Sequence, residues 1–422
     1  MAKKSLTKYW AGVVDAAMAL RRQITALRLW IASLGIVMLI GLIAGLIVFA
    51  RGLVVTGLND RVPWGLWITA DLSSIAMSAG AFSLSAAVYL LGLKQLRPVA
   101  RVAVFIGLIG YTMALLFLIL DIGRPDRFWH ALVFWNPHSV LWEVTMCVVL
   151  YLSVLIVEFA PIVGETEWMR RKLPRIAQAV ANLRRAAPVL AVAGLGLSLL
   201  HQSSLGATYG ILKARPLWYK PDMSILFIVS ALAGGQSLTL LACMVVGKLR
   251  RRVCVDRSLL DGVARFIGFT LLAYLYLKFW DSLSMSYTYA PGRTEGLQLL
   301  TAGPLQWNFW LGEVLFGGII PVVILLSARL RAHDRALMMA AGFIVVGVVL
   351  SRWDVNLAGL LMLVSYIPDV VPGAVLASYH PTWIEWAATA GIVAYGLLAF
   401  TLGARYLPVF TESHEAERLE AP

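Results

Sequence analysis

Ten hydrophobic stretches, separated by shorter polar segments, run along the chain of 422 residues. A helix needs about 20 apolar residues to cross the hydrocarbon core of a bilayer, and most of the stretches reach that length. The pattern therefore predicts an all-α polytopic membrane protein with about ten transmembrane helices. We number the predicted spans 1 to 10 in chain order: 30–50, 64–92, 99–120, 139–161, 187–209, 223–247, 262–281, 306–327, 336–352 and 382–404.

The two halves of the chain repeat a weak pattern of charged residues. A glutamate lies near the start of span 4 (Glu143) and of span 8 (Glu313). An aspartate lies at the end of span 3 (Asp121) and of span 7 (Asp281). The repeat predicts two four-helix bundles, spans 2–5 and spans 6–9, with spans 1 and 10 beside them.

The same pattern divides the chain into three segments. A chain that is 60% hydrophobic and 14% charged leaves no room for a large soluble domain beside ten spans. We expect residues 1–29 to form an amphipathic helix on the cytoplasmic membrane surface. The alternative is that they form an extended start to span 1. We do not expect a signal peptide there. Residues 30–404 form the transmembrane domain, and residues 405–422 form a cytoplasmic tail. The outer loops 282–305 and 353–381 are candidates for a docking surface.

Lysine and arginine residues concentrate on one side of the predicted spans. Of the 36 basic residues, 26 lie in the two termini and at the ends of spans that face the same side. The positive-inside rule then places both termini in the cytoplasm, as expected for a multi-pass protein of the bacterial inner membrane. The net charge of +13 follows from this topology and from attraction to anionic membrane lipid, and it does not indicate nucleic-acid binding.

Ionisable residues interrupt the predicted spans, mostly toward the outer side. An ionisable side chain near the bilayer centre costs roughly 2.5–3.5 kcal/mol on insertion scales, so such residues usually mark a pathway or a binding site. At about 1.5 Å per residue they form one layer nearer the periplasm, whereas Glu158 lies near the cytoplasmic end. The layer consists of Asp71, Asp121, Glu143, His201, Lys278, Asp281, Glu313, Arg352 and Glu385.

Part of this layer has the chemistry that a quinone requires. A quinone needs an apolar slot for its tail and hydrogen-bond partners for two carbonyl oxygens, one of them able to exchange protons. His201, Gln202 and Ser203 offer such partners, and Asp71 offers a carboxylate. Imidazole titrates near neutral pH, and a positioned acid or base can give or take the proton that accompanies electron transfer. The sequence therefore predicts a quinone pocket that contains these residues.

Structural alternatives exist for the same residues. His201 alone can bond a neighbouring helix without any ligand. Asp71 and Glu143 can form ion pairs with Arg124 or Arg127. Aromatic residues at the outer boundary fit an interfacial belt, so Trp67 is either part of that belt or a wall of the headgroup slot.

The second half of the chain mixes charges of both signs at the outer ends of its spans. Lys278 and Asp281 lie in span 7, Glu313 lies in span 8, and Arg352 lies at the end of span 9, shortly before Asp354. A row of such groups can relay protons. It can equally be a paired cluster that holds helices together.

The sequence lacks the residue patterns that bind several redox cofactors. The three cysteines are far apart and form no CxxC pair, so they cannot supply the four ligands of an iron–sulfur cluster. Only one of the six histidines lies well inside a predicted span, which argues against a di-haem cytochrome b, although a single haem with a histidine and a methionine remains possible. Motifs for nucleotide hydrolysis or a zinc site do not occur. We therefore expect no metal site and no iron–sulfur cluster in this chain.

Five segments of the sequence together resemble the NrfD/PsrC (polysulfide reductase) family of membrane subunits. The likeness runs from about span 1 to span 10, and it is greatest to the branch that contains the membrane subunit of hydrogenase-2 complexes. The segments are specific in combination rather than singly. They are Val62-Pro-Trp-Gly-Leu-Trp-Ile, Asp121-Ile-Gly-Arg-Pro-Asp-Arg-Phe-Trp129, Asn136-Pro-His-Ser-Val-Leu-Trp-Glu143, His201-Gln-Ser-Ser-Leu-Gly206 and Pro381-Thr-Trp-Ile-Glu385.

The resemblance implies a haem-free, quinone-reactive subunit of an oxidoreductase complex. Its partners would be a periplasmic four-cluster ferredoxin-like iron–sulfur subunit and a catalytic subunit. Carried over by position, Asp71, Glu143 and His201 would lie at the quinone pocket, and Asp121 and Arg124 would shape its outer rim. The charged residues of the second bundle would occupy a region where some relatives are thought to move protons: Lys278, Asp281, Glu313 and Arg352.

Three functions remain open on the sequence alone. The first is electron transfer between the membrane quinone pool, menaquinone or ubiquinone, and a complex with a nickel–iron hydrogenase large subunit. The second is the same role in a complex with a sulfur or molybdopterin enzyme. The third, from another class, is a proton-coupled secondary transporter, since such transporters also contain paired bundles and intramembrane charges.

Overall fold

Helices form most of the computed structural model, which describes residues 2–250, 255–288, 290–364 and 374–410. Within these residues ten helical spans are long and apolar enough to cross a membrane. The predicted all-α polytopic fold is confirmed, because each predicted span falls on one of them. The span helices are, in order, Ala2–Arg51, Leu66–Met77 with Ala79–Tyr89, Arg97–Asp121, Val140–Gly164, Ala187–Gly210, Met223–Arg250, Arg257–Tyr287, Asn308–Ile319 with Ile320–Leu326, Asp334–Leu361 and Trp383–Tyr406.

Short elements connect the spans. Two strands, β1 (Met362–Val364) and β2 (Ala374–Leu376), pair antiparallel between spans 9 and 10. The other elements are single turns or short helices: Leu53–Val55, Lys94–Leu96, Pro125–Arg127, His130–Val133, Glu167–Lys172, Pro174–Asn182, Leu183–Ala186, Arg293–Thr301 and Ala328–Arg331.

Span 9 is longer than the sequence predicts. We expected it to end at residue 352, but the helix continues to Leu361. Asp354 and Asn356 fall in the stretch predicted as an outer loop, yet both are buried and hydrogen-bonded inside the protein. Because their partners lie on other helices, the polar side chains do not end the helix, and the predicted boundary is wrong by nine residues.

The backbone of the N-terminal segment is part of one continuous helix. Residues 2–29 belong to the same helix as span 1, Ala2–Arg51, and no break marks the predicted domain boundary. The location of this segment on the membrane surface stays a prediction. Most of the predicted C-terminal tail, 411–422, lies outside the described residues.

The spans pack in two rings. Spans 2, 3, 4 and 5 contact one another in a ring that we call the first bundle. Spans 6, 7, 8 and 9 form the second ring, the second bundle, and spans 6 and 9 contact span 2 of the first. Spans 1 and 10 pair with each other and lie against span 3. Polar side chains also bond between the rings: Tyr209 of span 5 donates to Asn356 of span 9, which donates to Thr69 of span 2.

Glycine contacts allow the closest crossings of spans. A Cβ atom built on Gly41 of span 1 would lie 2.5 Å from the Cα atom of Gly391 in span 10. Between the bundles, a Cβ atom on Gly80 of span 2 would lie 2.7 Å from the carbonyl oxygen of Gly235 in span 6. Small residues of this kind let transmembrane backbones approach closely, and here they bring the two rings together.

The two ends of the molecule differ in charge and in structure. One end, which we call the basic face, contains the basic segments after spans 2, 4 and 8 and the end of span 10. The other, the hairpin face, contains the loops after spans 1, 3, 5 and 7 and the β1–β2 hairpin. At the hairpin face Arg215 joins three segments by donating to the carbonyl oxygens of Arg61 and Leu360, each at 2.5 Å.

Candidate functional site

The histidine of span 5 lies in the interior of the first bundle. His201 is fully buried, and its Nδ1 atom lies 2.7 Å from the hydroxyl oxygen of Tyr111 in span 3. Its other ring nitrogen, Nε2, is buried and has no hydrogen-bond partner among the described residues. When the Tyr111 hydroxyl donates to Nδ1, Nε2 carries the ring proton. His201 then presents an uncommitted N–H group inside the bundle.

Two carboxyl groups of the first bundle lack partners in the same way. Asp71 in span 2 is 3% exposed, and neither its Oδ1 atom nor that of Asp121 in span 3 has a hydrogen-bond partner within the described chain. The charges of Asp71 and Asp121 interact with each other. Buried polar atoms are nearly always bonded, so these unmet oxygens point to a proton, a water molecule or a ligand at this place. We call Asp71, Tyr111, Asp121 and His201 the first-bundle site.

Glu385 of span 10 has a structural role at the border of this site. Its Oε2 atom accepts hydrogen bonds from the backbone N–H groups of Gly57 (2.7 Å) and Thr382 (2.9 Å), and its Oε1 atom accepts one from Tyr379. Thr382 and Glu385 form a capping box that starts span 10. Burial, with the hydrogen bond to Glu385, raises the pKa of Tyr379. The carboxylate is thus fully bonded, unlike those of Asp71 and Asp121.

Trp67 packs between spans rather than standing at a membrane surface. Its side chain is 1% exposed, and its Nε1 atom donates to the backbone carbonyl of Glu385 at 3.3 Å. Its ring belongs to an apolar cluster that includes Ala44, Phe117 and Ile384. The residue therefore ties span 2 to spans 1, 3 and 10 one turn from Asp71.

The remaining predicted pocket residues of spans 4 and 5 bond within the first bundle. Ser204 donates to Oε1 of Glu143 at 2.6 Å, and Glu143 is half-buried. Gln202 donates to the carbonyl oxygen of Ile75 at 3.3 Å. The Ser203 hydroxyl donates to its own helix, at the carbonyl oxygen of Leu200. Of these residues, Gln202 lies in the interior near His201, whereas Ser203 and Glu143 are less buried.

Arg124 lies outside the site. Its side chain is 64% exposed and bonds with Asp126, with Nε–Oδ1 at 3.2 Å. The hydrogen bond from Arg124 holds the pKa of the Asp126 carboxyl below its ordinary value. None of the described ion pairs joins Arg124 or Arg127 to Asp71 or Glu143; Arg127 instead lies 4.0 Å from Asp126.

A row of polar side chains continues from the first-bundle site toward the basic face. The ring of Tyr111 lies edge to face against that of Tyr151 in span 4, with centroids 4.7 Å apart. Two turns along span 4, Glu158 accepts a hydrogen bond from Ser85 at 2.6 Å. Glu158 in turn lines a cavity of about 440 Å³ at the basic face. Polar groups therefore lie along most of the length of the first bundle.

An apolar groove of about 450 Å³ lies beside the site, between spans 1, 3 and 10. On span 3 it is lined by Leu116, Ile119 and Leu120, the last of which precedes Asp121. On spans 1 and 10 it is lined by Gly41, Gly391 and other small or apolar residues. The groove thus runs from the membrane-facing surface toward the hairpin-face end of span 3.

Two ion pairs lie in the second bundle, whereas Oε2 of Glu313, Oδ2 of Asp354 and Nε of Arg352 are buried without a hydrogen-bond partner among the described residues. Lys278 of span 7 lies 2.9 Å from Oε1 of Glu313 in span 8, and Tyr274 donates to the same oxygen at 2.6 Å. The Tyr274 hydroxyl also lies 2.9 Å from that of Ser351 in span 9. Glu313 lies in a π-helical stretch, Asn308–Ile319, and such stretches are rare and frequent at functional sites. We call Tyr274, Lys278, Asp281 and Glu313 the second-bundle cluster.

Asp281 and Asp354 extend this cluster toward the hairpin face. Asp281 accepts from Lys220, a residue of the loop before span 6, with both oxygens 2.5 Å from Nζ. Asp354 accepts from Asn308 at 2.6 Å. A cavity of about 30 Å³ lies between Lys220, Lys278, Asp281 and Asp354, and it is large enough for a water molecule with several polar partners.

Arg352 is buried but belongs to no described ion pair. Its guanidinium carbon lies 4.0 Å from the ring centroid of Phe227, and its NH2 atom donates to the hydroxyl of Ser230 at 2.9 Å. This cation–π contact on span 6 holds span 9 against its neighbour. Sequence reasoning missed Tyr111, Tyr274 and Lys220 as partners, because no spacing rule relates residues on different spans.

Comparisons with known proteins identify relatives that align with most of this chain. The family described as polysulphide reductase, NrfD, matches residues 54–364. The menaquinone reductase integral membrane subunit of Nitratidesulfovibrio vulgaris is 35% identical, over 94% of this chain and 95% of its own length. A selenate reductase subunit of Mesobacillus selenatarsenatis is 25% identical, over 93% of this chain and 96% of its own length.

A third relative is the probable Ni/Fe-hydrogenase 2 b-type cytochrome subunit of Escherichia coli, which is 29% identical over 87% of this chain and 88% of its own length. The identity is thus higher to the menaquinone reductase subunit than to the hydrogenase subunit. The five segments quoted from the sequence fall within or next to the region that the family match covers. This multi-pass integral membrane protein belongs to the NrfD family.

Proposed function

We propose that this chain is the quinone-reactive membrane subunit of a respiratory redox complex, and that quinone exchanges protons at the first-bundle site. One observation carries the proposal: His201 Nε2 and Asp71 Oδ1 are both buried without partners in the described chain. Leaving a buried polar atom unbonded costs about 1–3 kcal/mol. A quinone headgroup supplies carbonyl oxygens that complete these bonds, and the menaquinone reductase relative supports menaquinone as the quinone.

The chemistry needs proton donors and acceptors at two oxygens. Reduction of a quinone takes up two electrons and two protons, and oxidation of the quinol releases both. His201 would hold one proton on Nε2 while Tyr111 fixes its ring through Nδ1. Asp71 would hold the other on its carboxyl group, whose Oδ1 atom is buried without a described partner. Gln202 and Glu143 would border the headgroup.

The apolar groove between spans 1, 3 and 10 supports a path for the quinone tail. It offers about 450 Å³ of almost wholly apolar space and ends at Leu120, one residue from Asp121. A tail in this groove would place its headgroup toward the carboxyl groups of the site. Trp67 would form the inner wall there, since it is buried between the same spans.

The row of polar groups in the first bundle supports proton supply from the basic face. Glu158 lines the cavity at that face, Tyr151 lies two turns along span 4, and Tyr111 reaches His201. At about 1.5 Å per residue, Tyr151 and Glu158 are roughly 10 Å apart along the helix, so ordered water would complete the row. Electrons would meet these protons at the site near the hairpin face.

We further propose that the electrons pass through a four-cluster ferredoxin-like subunit bound at the hairpin face in the periplasm. The segment after span 3 supports this, because its large apolar side chains are exposed there: Phe128, Phe134 and Trp135 are each more than half exposed. The hydrogenase-2 relative supports a nickel–iron hydrogenase as the catalytic subunit. The family description, polysulphide reductase, supports the alternative of a sulfur enzyme.

For the second bundle we propose a structural role that outweighs proton relay. Lys278 and Asp281 are each paired with an opposite charge, at 2.9 and 2.5 Å. Paired buried charges hold helices in register, whereas relay groups must change their charge. The predicted proton path through Lys278, Asp281, Glu313 and Arg352 stays a prediction.

A proton-coupled transporter is a second candidate of another class. Its site would lie near the middle of the spans, at broken helices. The π-helical stretch of span 8 is the one feature described above that favours it. Solute uptake by liposomes that contain the purified chain alone would support this candidate over the redox function.

Binding of a fluorescent quinone analogue to the purified chain in nanodiscs tests the quinone site. Replacing both His201 and Asp71 (His201→Gln, Asp71→Asn) is expected to weaken binding by at least about tenfold, which is 1.4 kcal/mol. Asp126→Asn, a matched carboxyl change on an exposed residue, is the control and leaves binding unchanged. Equal affinity of the double variant and the wild type would exclude the site. Mass spectrometry of proteins that co-purify in mild detergent then identifies the catalytic subunit.

A further inference from the structure

A polar cavity of the first bundle opens at the basic face, far from the proposed quinone site. It measures about 440 Å³ and lies between the ends of spans 2, 3, 4 and 5. Four arginines line it: Arg97 and Arg101 at the start of span 3, and Arg184 and Arg185 just before span 5. The two acidic residues of its lining are Glu158 and Glu165. The lining therefore carries a formal excess of two positive charges.

Two of these arginines, Arg101 and Arg184, are held in place by hydrogen bonds within the protein. Glu165 is bonded by Arg101 through both oxygens, at 3.3 and 2.6 Å, and also by Arg184. Arg101 donates in addition to the carbonyl oxygen of Pro408, at the end of span 10, at 2.7 Å. Arg185 is exposed and takes part in no described hydrogen bond or ion pair. The cavity thus has fixed guanidinium groups at its wall and an uncommitted one at its mouth.

Polarity changes with depth in this cavity. The arginines lie at the ends of the spans, whereas the deeper wall consists mainly of apolar side chains such as Val104, Val157 and Leu190. Ser85 and Glu158, which bond to each other, are the polar residues at that depth. Val104 lies about two turns inside span 3 and Leu190 one turn inside span 5. A small inorganic anion would use only the outer part of such a space. An amphiphile with an anionic head and apolar chains would contact all of it.

A second cavity adjoins the first and shares its central residues. It measures about 300 Å³ and is lined by Glu165 and Arg184 of the first cavity, with Arg170 and Gln178 on its far side. Arg184 therefore stands between two spaces, each with a further arginine. Two phosphate groups, one in each space, would both contact this residue.

We propose that these adjoining cavities bind an anionic phospholipid whose headgroup carries two phosphates, as in a diphosphatidylglycerol. Basic pockets between transmembrane helices favour such headgroups, and each basic residue near the surface contributes about 1 kcal/mol. Arginine in particular pairs with phosphate through two parallel N–H donors. This site uses none of the residues of the first-bundle site.

Native mass spectrometry of the delipidated chain in neutral detergent tests the proposal. Diphosphatidylglycerol is expected to bind more tightly than phosphatidylglycerol, and both more tightly than phosphatidylcholine. The Arg184→Gln/Arg185→Gln variant is expected to lose on the order of thirtyfold in affinity for diphosphatidylglycerol, from two basic residues. Arg185→Gln alone, which breaks no described contact, is expected to lose about fivefold and keeps the test valid where the double variant does not fold.

The control removes two arginines elsewhere on the same face. Arg329→Gln/Arg335→Gln changes the charge equally at exposed positions of the second bundle and is expected to leave affinity unchanged. An equal loss in this control would overturn the proposal in favour of general surface attraction. Displacement of the lipid by millimolar inorganic phosphate would assign the cavity to a free anion instead. Equal affinities for the one-phosphate and two-phosphate lipids would overturn the assignment of two phosphate positions.

Discussion

The two bundles treat buried charge in opposite ways. In the second bundle each of two carboxylates has a lysine: Glu313 has Lys278 at 2.9 Å, and Asp281 has Lys220 at 2.5 Å. In the first bundle no described ion pair includes Asp71 or Asp121, and the Oδ1 atom of each is buried without a described hydrogen-bond partner. Pairs fix a charge state, whereas unpaired groups of like charge favour the uptake of a proton. We therefore expect the charged side chains of the second bundle to stabilise the fold, and those of the first bundle to take part in the chemistry.

The largest expected effect comes from breaking a pair in the second bundle. Lys278→Met leaves Glu313 as an uncompensated buried charge and is expected to destabilise the protein by about 3–5 kcal/mol. Thermal unfolding in detergent measures the loss. The double variant Lys278→Met/Glu313→Gln is expected to recover most of it, because both charges are then absent. A single variant as stable as the wild type would contradict the structural role of the pair.

The opposite outcome is expected for the first bundle. His201→Gln or Asp71→Asn removes a proton donor and is expected to lower the rate of quinone reduction or quinol oxidation by the whole complex by about 10²–10⁴-fold. The thermal midpoint is expected to stay the same or to rise for Asp71→Asn, because a buried unpaired carboxyl is replaced by an amide. Turnover within a factor of two of the wild type, at an unchanged midpoint, would remove both residues from the chemistry.

A smaller effect is expected for the residue that orients His201. Tyr111→Phe deletes one hydrogen bond, worth about 0.5–1.5 kcal/mol, and is expected to lower turnover by up to about tenfold. Tyr276→Phe is a control of the same type, since Tyr276 is an exposed tyrosine on span 7, away from the first-bundle site and the groove. We expect turnover and its pH profile to change only for Tyr111→Phe. A change of equal size in both variants would indicate a general packing effect.

The smallest effect is expected at the exposed pair of Arg124 and Asp126. The pKa of Asp126 is lowered in the folded protein, so its contribution to stability is present above its unfolded pKa and is lost as the pH falls through the lower, folded value. Because both side chains are exposed, the contribution is small. Thermal midpoints of the wild type and Asp126→Asn are expected to converge in acid and to differ slightly at neutral pH. A constant difference at all pH values would contradict this origin.

The hydrophobic pattern was sufficient to predict the ten spans, because lipid requires every crossing segment to be a long apolar helix. Span 9 shows where that pattern fails. Asp354 and Asn356 are polar in sequence but lie against other helices, so hydropathy alone ended the span nine residues too early. A hydropathy profile records the polarity of each residue, but not whether that residue faces lipid or another helix.

The sequence predicts only some of the residues that form the candidate site and its surroundings. The charged residues of the second bundle were all visible in the sequence, but their partners were not, because Lys220 lies in a loop and Tyr274 resembles any aromatic residue in a membrane helix. Arg124 looked like a rim residue and lies instead in an exposed pair with Asp126. Pairing across spans depends on how helices rotate and cross, and this chain contains no local pattern that records it.

The contact of Gly80 with Gly235 restricts how this protein can change over generations. A side chain at Gly80 would meet the carbonyl oxygen of Gly235 at 2.7 Å. When a larger residue enters an ordinary helix contact, a smaller residue opposite can restore the fit. Here the opposite residue is already the smallest of all, so no second substitution at the contact repairs the first. A single substitution at this contact between the two bundles is therefore expected to reduce fitness, and only reversion to glycine is expected to restore it.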